Sequence, residues 1–265
     1  MFPARLFADW TTHGRNKAGR REFVLTAPTP IRLDEVGSTN DWLRDRAGQL
    51  ADLQWVSAAR QTGGRGRLGR AWDSPPGNLA ASCLIRPRVG EGSPTELAFV
   101  MALAVFDAAS RFVVAARLQL KWPNDVLLDG AKLSGILLER AGDAVIAGVG
   151  VNLQAAPALP GRATIALAAA MDASPPGPDV FLPVLAASFA ESRKIWAESG
   201  FAAVRQHWLD RAHPLGTPLA TTQGGHVISG TFAGLADDGA LLLADADGQV
   251  HVIWAGDVTT GGGGG

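Results

Sequence analysis

Leu118-Gln119-Leu120-Lys121-Trp122-Pro123-Asn124-Asp125-Val126-Leu127-Leu128-Asp129-Gly130-Ala131-Lys132-Leu133-Ser134-Gly135-Ile136-Leu137-Leu138-Glu139 carries two apolar runs with Asp129-Gly130 between them. That dipeptide is a two-residue hairpin signal, so the segment reads as a pair of antiparallel strands. Lys132 sits just past the turn, inside an otherwise apolar strand. A lysine on a solvated strand face is the plain structural reading. Gly135 follows three residues later and leaves open space beside the strand. A lysine next to bare backbone is what an enzyme needs to neutralise an anionic group. Trp122-Pro123-Asn124-Asp125 is a rigid turn with two polar side chains at its tip.

Beyond a turn at Ala141-Gly142-Asp143, residues 144–153 return as a strand in which Gly148 and Gly150 alternate with apolar side chains. One face of that strand is bare, which admits a flat ligand or closely packed backbone. Asn152, the polar residue in the run, needs a hydrogen-bond partner wherever it is buried. Upstream, Pro94 and Thr95 open a helix through Phe112 whose apolar spread implies heavy burial. Residues 79–85 are apolar enough for a central strand, and Pro75-Pro76-Gly77-Asn78 before them is a turn. Gln61-Thr62-Gly63-Gly64-Arg65-Gly66-Arg67-Leu68-Gly69-Arg70 holds four glycines and three arginines. Such a loop can bend closely around a ligand, and its guanidinium groups suit phosphate or carboxylate. Arg/Gly runs that bind RNA usually repeat in polar surroundings, whereas this one occurs once, between Trp72 and a buried-strand pattern at residues 54–59. Residues 31–36 alternate as a strand. Gly37-Ser38-Thr39-Asn40-Asp41 breaks it, and Ser38 with Asp41 resembles a capping box opening a helix from about Asn40 to Leu50. Ser38 and Thr39 at a strand end also suit hydrogen bonding to a polar ligand edge.

Residues 155–178 are Ala/Pro/Gly-rich and read as a surface crossing. A helical pattern fills residues 179–212. Short alternating strands follow at 218–222, 227–234, 240–245 and 250–254, punctuated by Gly224-Gly225, Asp237-Asp238-Gly239 and Asp247-Gly248, as in a small β-barrel. The expected division is an N-terminal arm at 1–30, a catalytic domain at 31–212, a barrel at 213–260 and a glycine tail at 261–265. The net charge of −1 makes the arginine loop a local feature rather than part of a broad nucleic-acid or membrane surface. Cys83 is the only cysteine, which leaves no disulfide framework and no cysteine-based metal site. No apolar run reaches membrane-spanning length, and the N-terminus lacks a signal-peptide stretch, so a reduced, ATP-rich cytoplasmic compartment is expected.

Taken in order, Gly37-Ser38-Thr39-Asn40, the Gly-Arg loop, Lys121 to Asp125 with Lys132 to Leu137, and Gly148 to Leu153 resemble the biotin–protein ligases. The likeness covers about residues 31–260. It implies an α/β catalytic domain like the class II synthetases, with a mixed sheet flanked by helices, followed by an SH3-like barrel. It also implies a two-step reaction. Biotin and ATP-Mg²⁺ give biotinyl-5′-AMP and pyrophosphate, and the adenylate then biotinylates a lysine of a biotin carboxyl carrier protein.

By the resemblance, Ser38, Thr39, Asn40 and Gln61 hold the biotin ring with backbone at Gly64 and Arg65, and Gly135 lies beside it. Arg65, Arg67, Arg70 and Trp72 close over the adenylate. Asn124 and Asn152 lie on the nucleotide side. Lys132 is catalytic, between the biotin carboxylate and the α-phosphate, with Arg67 assisting. Asp125 is the candidate carboxylate for the magnesium ion. Family members often dimerise through the sheet edge, which makes a homodimer a candidate assembly. About thirty residues precede the first strand, too few for the DNA-binding domain some members carry, so no DNA binding is expected. A lipoate–protein ligase shares the fold and adenylation logic, but the arginine loop and the Ser38/Thr39/Gln61 set favour a polar ureido ligand. A non-catalytic biotin sensor is disfavoured by the intact Lys132 and arginines.

Overall fold

The computed structural model describes residues 28–159, 161–223 and 226–260. The expected arm, apart from its last three residues, the Gly224-Gly225 turn and the glycine tail lie outside the described residues. In chain order the elements are β1 (Ile31–Val36), α1 (Thr39–Arg44), β2 (Gln54–Gln61), β3 (Leu79–Ile85), α2 (Leu97–Ala109), β4 (Leu118–Lys121), β5 (Asp125–Leu128), β6 (Ala131–Ala141), β7 (Ala144–Val151) and α3 (Pro178–Leu209). The smaller sheet follows, with β8 (Pro218–Gln223), β9 (His226–Leu235), β10 (Leu241–Ala244), β11 (Val250–Ile253) and β12 (Val258–Thr260).

The first seven strands form one mixed sheet in the order β1-β2-β3-β7-β6-β5-β4. β1 and β2 are parallel, and every other neighbouring pair is antiparallel. The hairpin turn forms as its residues predict: Asp129 and Gly130 both take positive φ, 50° and 76°, the twist a two-residue loop needs.

Strand β7 shows how this sheet makes a site. Val145, Ala147, Val149 and Val151 point to the α2 side and join the main core with Trp55, Cys83 and Ile85. On the opposite face Ala144 and Ile146 pack with Leu43 of α1, Val56 and Leu84. That face then changes character to Gly148 and Gly150. The short helix α1 covers the apolar end, and the glycine end is left as a floor.

Three helix boundaries differ from the sequence expectation. The helix expected to reach Leu50 ends at Arg44, and a separate 3₁₀ turn, Ala47–Gln49, follows. Burial of Leu43 and Ala47 in the α1-side cluster decides the path rather than helical propensity. The helix expected to run through Phe112 stops at Ala109, where the Ser110 hydroxyl turns back to donate to the Asp107 carbonyl at 2.8 Å. The 179–212 pattern is broken at Gly200, which has φ 72° and ψ −178°, a conformation open to glycine and closed to helix. The expected surface crossing at 155–178 also carries buried residues, Ala166 and Leu167. It runs beside β6, where the Lys132 N–H donates to the Ala163 carbonyl and the Ile165 N–H donates to the Lys132 carbonyl.

The last five strands form an antiparallel sheet in the order β11-β10-β9-β8-β12. β12 is a strand the sequence pattern missed, since three residues carry too little alternation. This sheet shares the main core through Leu219, Phe232, Leu235, Leu241 and Val258. Trp122 ties the two units further by donating its Nε1–H to the Gly239 carbonyl at 3.1 Å.

Candidate active site

A cavity of about 520 Å³ opens on the glycine floor, within the size range of small-molecule sites. One wall comes from the start of α1. Ser38 is the N-cap, with its hydroxyl facing the Asp41 N–H at 3.5 Å. The Thr39 N–H and hydroxyl both donate to Gln61 Oε1, at 2.8 and 3.0 Å. This fixes the Gln61 amide, whose N–H₂ end remains as a donor. The buried Ser82 hydroxyl lies 2.7 Å from Thr39 Oγ1 and 2.6 Å from Asn40 Oδ1. Asn40 is seated because Gly148 has no side chain: a Cβ there would lie 2.4 Å from Asn40 Oδ1. The result is a preorganised polar wall.

Gly150 and Gly135 stand directly opposite each other across β7 and β6. The Trp72 indole lies on this flat pair. A Cβ at Gly150 would fall 2.2 Å from Trp72 Cε2, and one at Gly135 would fall 3.1 Å from Trp72 Cζ3 and from Lys132 Nζ. The bare face inferred from the sequence is therefore occupied by one of the protein's own rings. Lys132 Nζ is 5.4 Å from the indole centroid, within cation–π range, and 2.6 Å from Asp125 Oδ1. Lys132 and Asp125 are only 14% and 10% exposed, so this ion pair is little screened by solvent.

The arginine loop folds back on itself. Gly66 N–H donates to the Arg70 carbonyl and Trp72 N–H to the Gly64 carbonyl, at 2.7 and 3.0 Å. Gly64 permits this approach, since a Cβ there would sit 2.5 Å from the Trp72 carbonyl oxygen. Gly64 therefore shapes the loop and is not part of the cavity lining. The three arginines have different partners. Arg65 donates to Asp41 at 2.6 and 2.8 Å and to Glu139 at 2.8 and 2.9 Å. Glu139 also accepts from Asn40 Nδ2 at 2.7 Å. Arg65 thus clamps the loop to the polar wall. Its hydrogen bonds hold the Asp41 carboxyl below the usual carboxylate range, and both carboxylates push the guanidinium further up. Arg67 donates to Asn124 Oδ1 at 3.4 Å and to the Gly256 carbonyl at 3.2 Å. Arg70 pairs with Asp257, which also accepts from Arg162 at 2.8 Å.

Ser38, Thr39, Asn40, Gln61, Arg65, Arg67, Arg70, Trp72, Asn124, Asp125, Lys132 and Gly135 thus meet around one cavity. Asn152 does not join them. It lines a narrow void of about 10 Å³ behind Trp72 and Lys132, room for one water molecule. Its Nδ2 donates to the Ile165 carbonyl at 3.2 Å and lies 3.4 Å from the Lys132 carbonyl, while its buried Oδ1 has no partner among the described residues. Trp72, Lys132, Pro157, Leu159 and Thr164 border that void with it.

Four contributors escaped the sequence reading: Asp41, Glu139, Arg162 and Asp257. Glu139 left a signal, a charge on the same strand face as Gly135 and Leu137. Asp257 left none, because its partner Arg70 is 187 residues away.

The profile of the biotin/lipoate A/B protein ligase family matches residues 32–154, and that of the biotin protein ligase C-terminal domain matches residues 219–259. A biotin–[acetyl-CoA-carboxylase] ligase of Paracoccus denitrificans is 40% identical over 87% of this chain and 100% of its own length. The ligase of that name from Mycobacterium tuberculosis is 32% identical over 84% of this chain and 86% of its own. Among solved structures, the biotin protein ligase from Aquifex aeolicus in complex with biotin and ATP superposes with a TM-score of 0.78, at 27% identity, over 88% of this chain and 99% of that one. The polar wall, the lysine on a glycine floor, the arginine loop and the C-terminal sheet all lie within these matched stretches, and the chain belongs to the biotin protein ligases.

Proposed function

We propose that the chain activates biotin with ATP to biotinyl-5′-AMP and transfers biotin to a lysine of the carrier subunit of acetyl-CoA carboxylase, in the cytoplasm, with residues 31–212 carrying the chemistry. The observation that supports this most directly is one cavity with a hydrogen-bonding wall on one side and Lys132 on the other, bridged by a floor without side chains. The Gln61 amide and the Ser38, Thr39 and Asn40 groups suit the ureido ring. Leu137 and the bare backbone of β6 and β7 beside it suit the ring sulfur and the chain. The carboxylate then reaches Lys132.

In the first step a biotin carboxylate oxygen attacks the α-phosphorus. The bond from that phosphorus to the bridging oxygen of the β-phosphate breaks, and pyrophosphate leaves. Two anions must approach, so Lys132 lowers the barrier by sitting between them, with Arg67 on the developing charge. In the second step the carrier lysine attacks the acyl carbon and AMP leaves. The mixed anhydride hydrolyses readily, and a loop clamped by Arg65 over the cavity excludes water.

Magnesium arrives with the nucleotide. Such an ion would be held mostly by phosphate oxygens and water. Asp125, which lines the cavity and pairs with Lys132, would be the carboxylate to hold it. Bound magnesium would neutralise phosphate charge.

Biotin-dependent pyrophosphate release from ATP, with lipoate and octanoate run beside it, tests the reading. A signal with biotin alone is expected. A signal with lipoate instead would reassign the substrate, and silence with all three despite biotin binding would leave a sensor.

A further inference from the structure

We infer that Asp257 is an internal anion standing in the polyphosphate subsite, displaced when ATP enters and competing afterwards to expel pyrophosphate. The inference takes its ligand from the adenylation reading. The charges around the cavity point to it. Arg65 is matched by Asp41 and Glu139, and Lys132 by Asp125. Arg67, Arg70 and Arg162 remain, and all three converge on Gly256-Asp257 of the C-terminal sheet. Among the described residues one carboxylate faces these three guanidinium groups, so a local excess of positive charge persists at the cavity wall. Guanidinium binds carboxylate and phosphate with the same planar fork, and a polyphosphate brings more charge than one carboxylate.

The side chain is placed to exchange rather than to lock. Its backbone is anchored, with the Thr221 hydroxyl donating to the Asp257 carbonyl at 2.9 Å. The carboxylate itself lies on the cavity wall and is 23% exposed. Burial alone would raise its pKa, but the Arg70 hydrogen bond and the charges of Arg162 and Arg67 outweigh burial and keep it ionised. A tethered anion acts at high effective concentration, so it competes well with a product that is no longer covalently held. Arg162 thereby becomes a phosphate-binding residue that no motif had marked.

The test is direct binding of inorganic pyrophosphate to the protein without biotin or nucleotide, in chelator, by calorimetry. Asp257→Asn should tighten binding by about tenfold, the effect of removing one charge-assisted competitor. Arg162→Ala should weaken it by a similar factor, and Asp257→Glu should resemble the parent. A folded Asp257→Asn variant that binds pyrophosphate equally or more weakly would overturn the inference and leave Asp257 as a domain latch. If that variant does not fold, hydrogen exchange on the unaltered protein decides. Pyrophosphate should speed exchange around residues 256–260, and no change there overturns the idea. Failure of biotin-dependent adenylation would count against the function alone, because none of these measurements requires turnover.

Discussion

Gly150→Ala tests whether the glycine floor is there for Trp72. The added methyl would stand 2.2 Å from Cε2, 2.3 Å from Nε1 and 2.5 Å from Cζ2 of the indole. Ordinary carbon contact begins near 3.5 Å, so the ring must retreat by about 1.3 Å. The strand cannot give way instead, because Gly150 is paired to Ala80 on one side and Gly135 on the other. Overpacking of a closed core costs about 1–3 kcal/mol. Here the ring is half-buried and borders an open cavity, so the global cost should fall near 1 kcal/mol, or roughly 2–4 °C in Tm. The larger effect is on chemistry. Trp72 carries the loop with it through its N–H to Gly64, and it leaves Lys132. Misplacement of about 1 Å lowers turnover by roughly a hundredfold. Biotin-dependent ATP–pyrophosphate exchange reads this, with Tm measured in parallel. In a Trp72→Ala background the same substitution should cost far less, the signature of coupled neighbours. Exchange within a few-fold of the parent, or equal losses in both backgrounds, would refute the idea that the floor exists to seat the indole.

Lys132→Ala should lower exchange by about 10²–10³-fold and also destabilise the fold by roughly 3 kcal/mol, because Asp125 is left buried without its cation. Adding Asp125→Asn should restore the melting temperature but not the exchange; recovery of both would remove Lys132 from the chemistry. Glu139→Gln leaves Asn40 and Arg65 with a weaker shared acceptor, so biotin affinity measured by calorimetry should fall about tenfold; an unchanged Kd would show that the clamp does not support the wall. His213 is held below its ordinary value by burial and then by Lys121, and its Nε2 has no partner among the described residues. The folded state therefore prefers neutral His213, and stability should decline as pH falls below about 6.5. His213→Gln should flatten urea midpoints over that window, and an unaltered slope would place the titration elsewhere.

The parts of the site legible in the sequence were those written locally. The Asp129-Gly130 turn, the alternation that bares Gly148 and Gly150, and the lysine three residues before Gly135 each needed only near neighbours. What stayed hidden depends on distant pairing. Nothing near Arg65 says that its charge is met by Asp41 and Glu139, and nothing near Asn152 says that Trp72 will lie between it and the cavity. The helix break at Gly200 was visible as a residue but was overridden by the apolar periodicity around it. The ordered path of residues 163–165 along β6 was masked by composition, since Ala, Pro and Gly say little about backbone pairing.

The contact between Arg70 and Asp257 has a consequence for synthesis. A ribosome that has delivered residues through 212 has already supplied the polar wall, the glycine floor, Lys132 and the arginine loop. It has not yet supplied the carboxylate that two of the arginines hold. Until the last sheet docks, those guanidinium groups lack this carboxylate. Docking of the last sheet supplies it, so the ordering of the arginine loop and the folding of residues 218–260 are coupled steps.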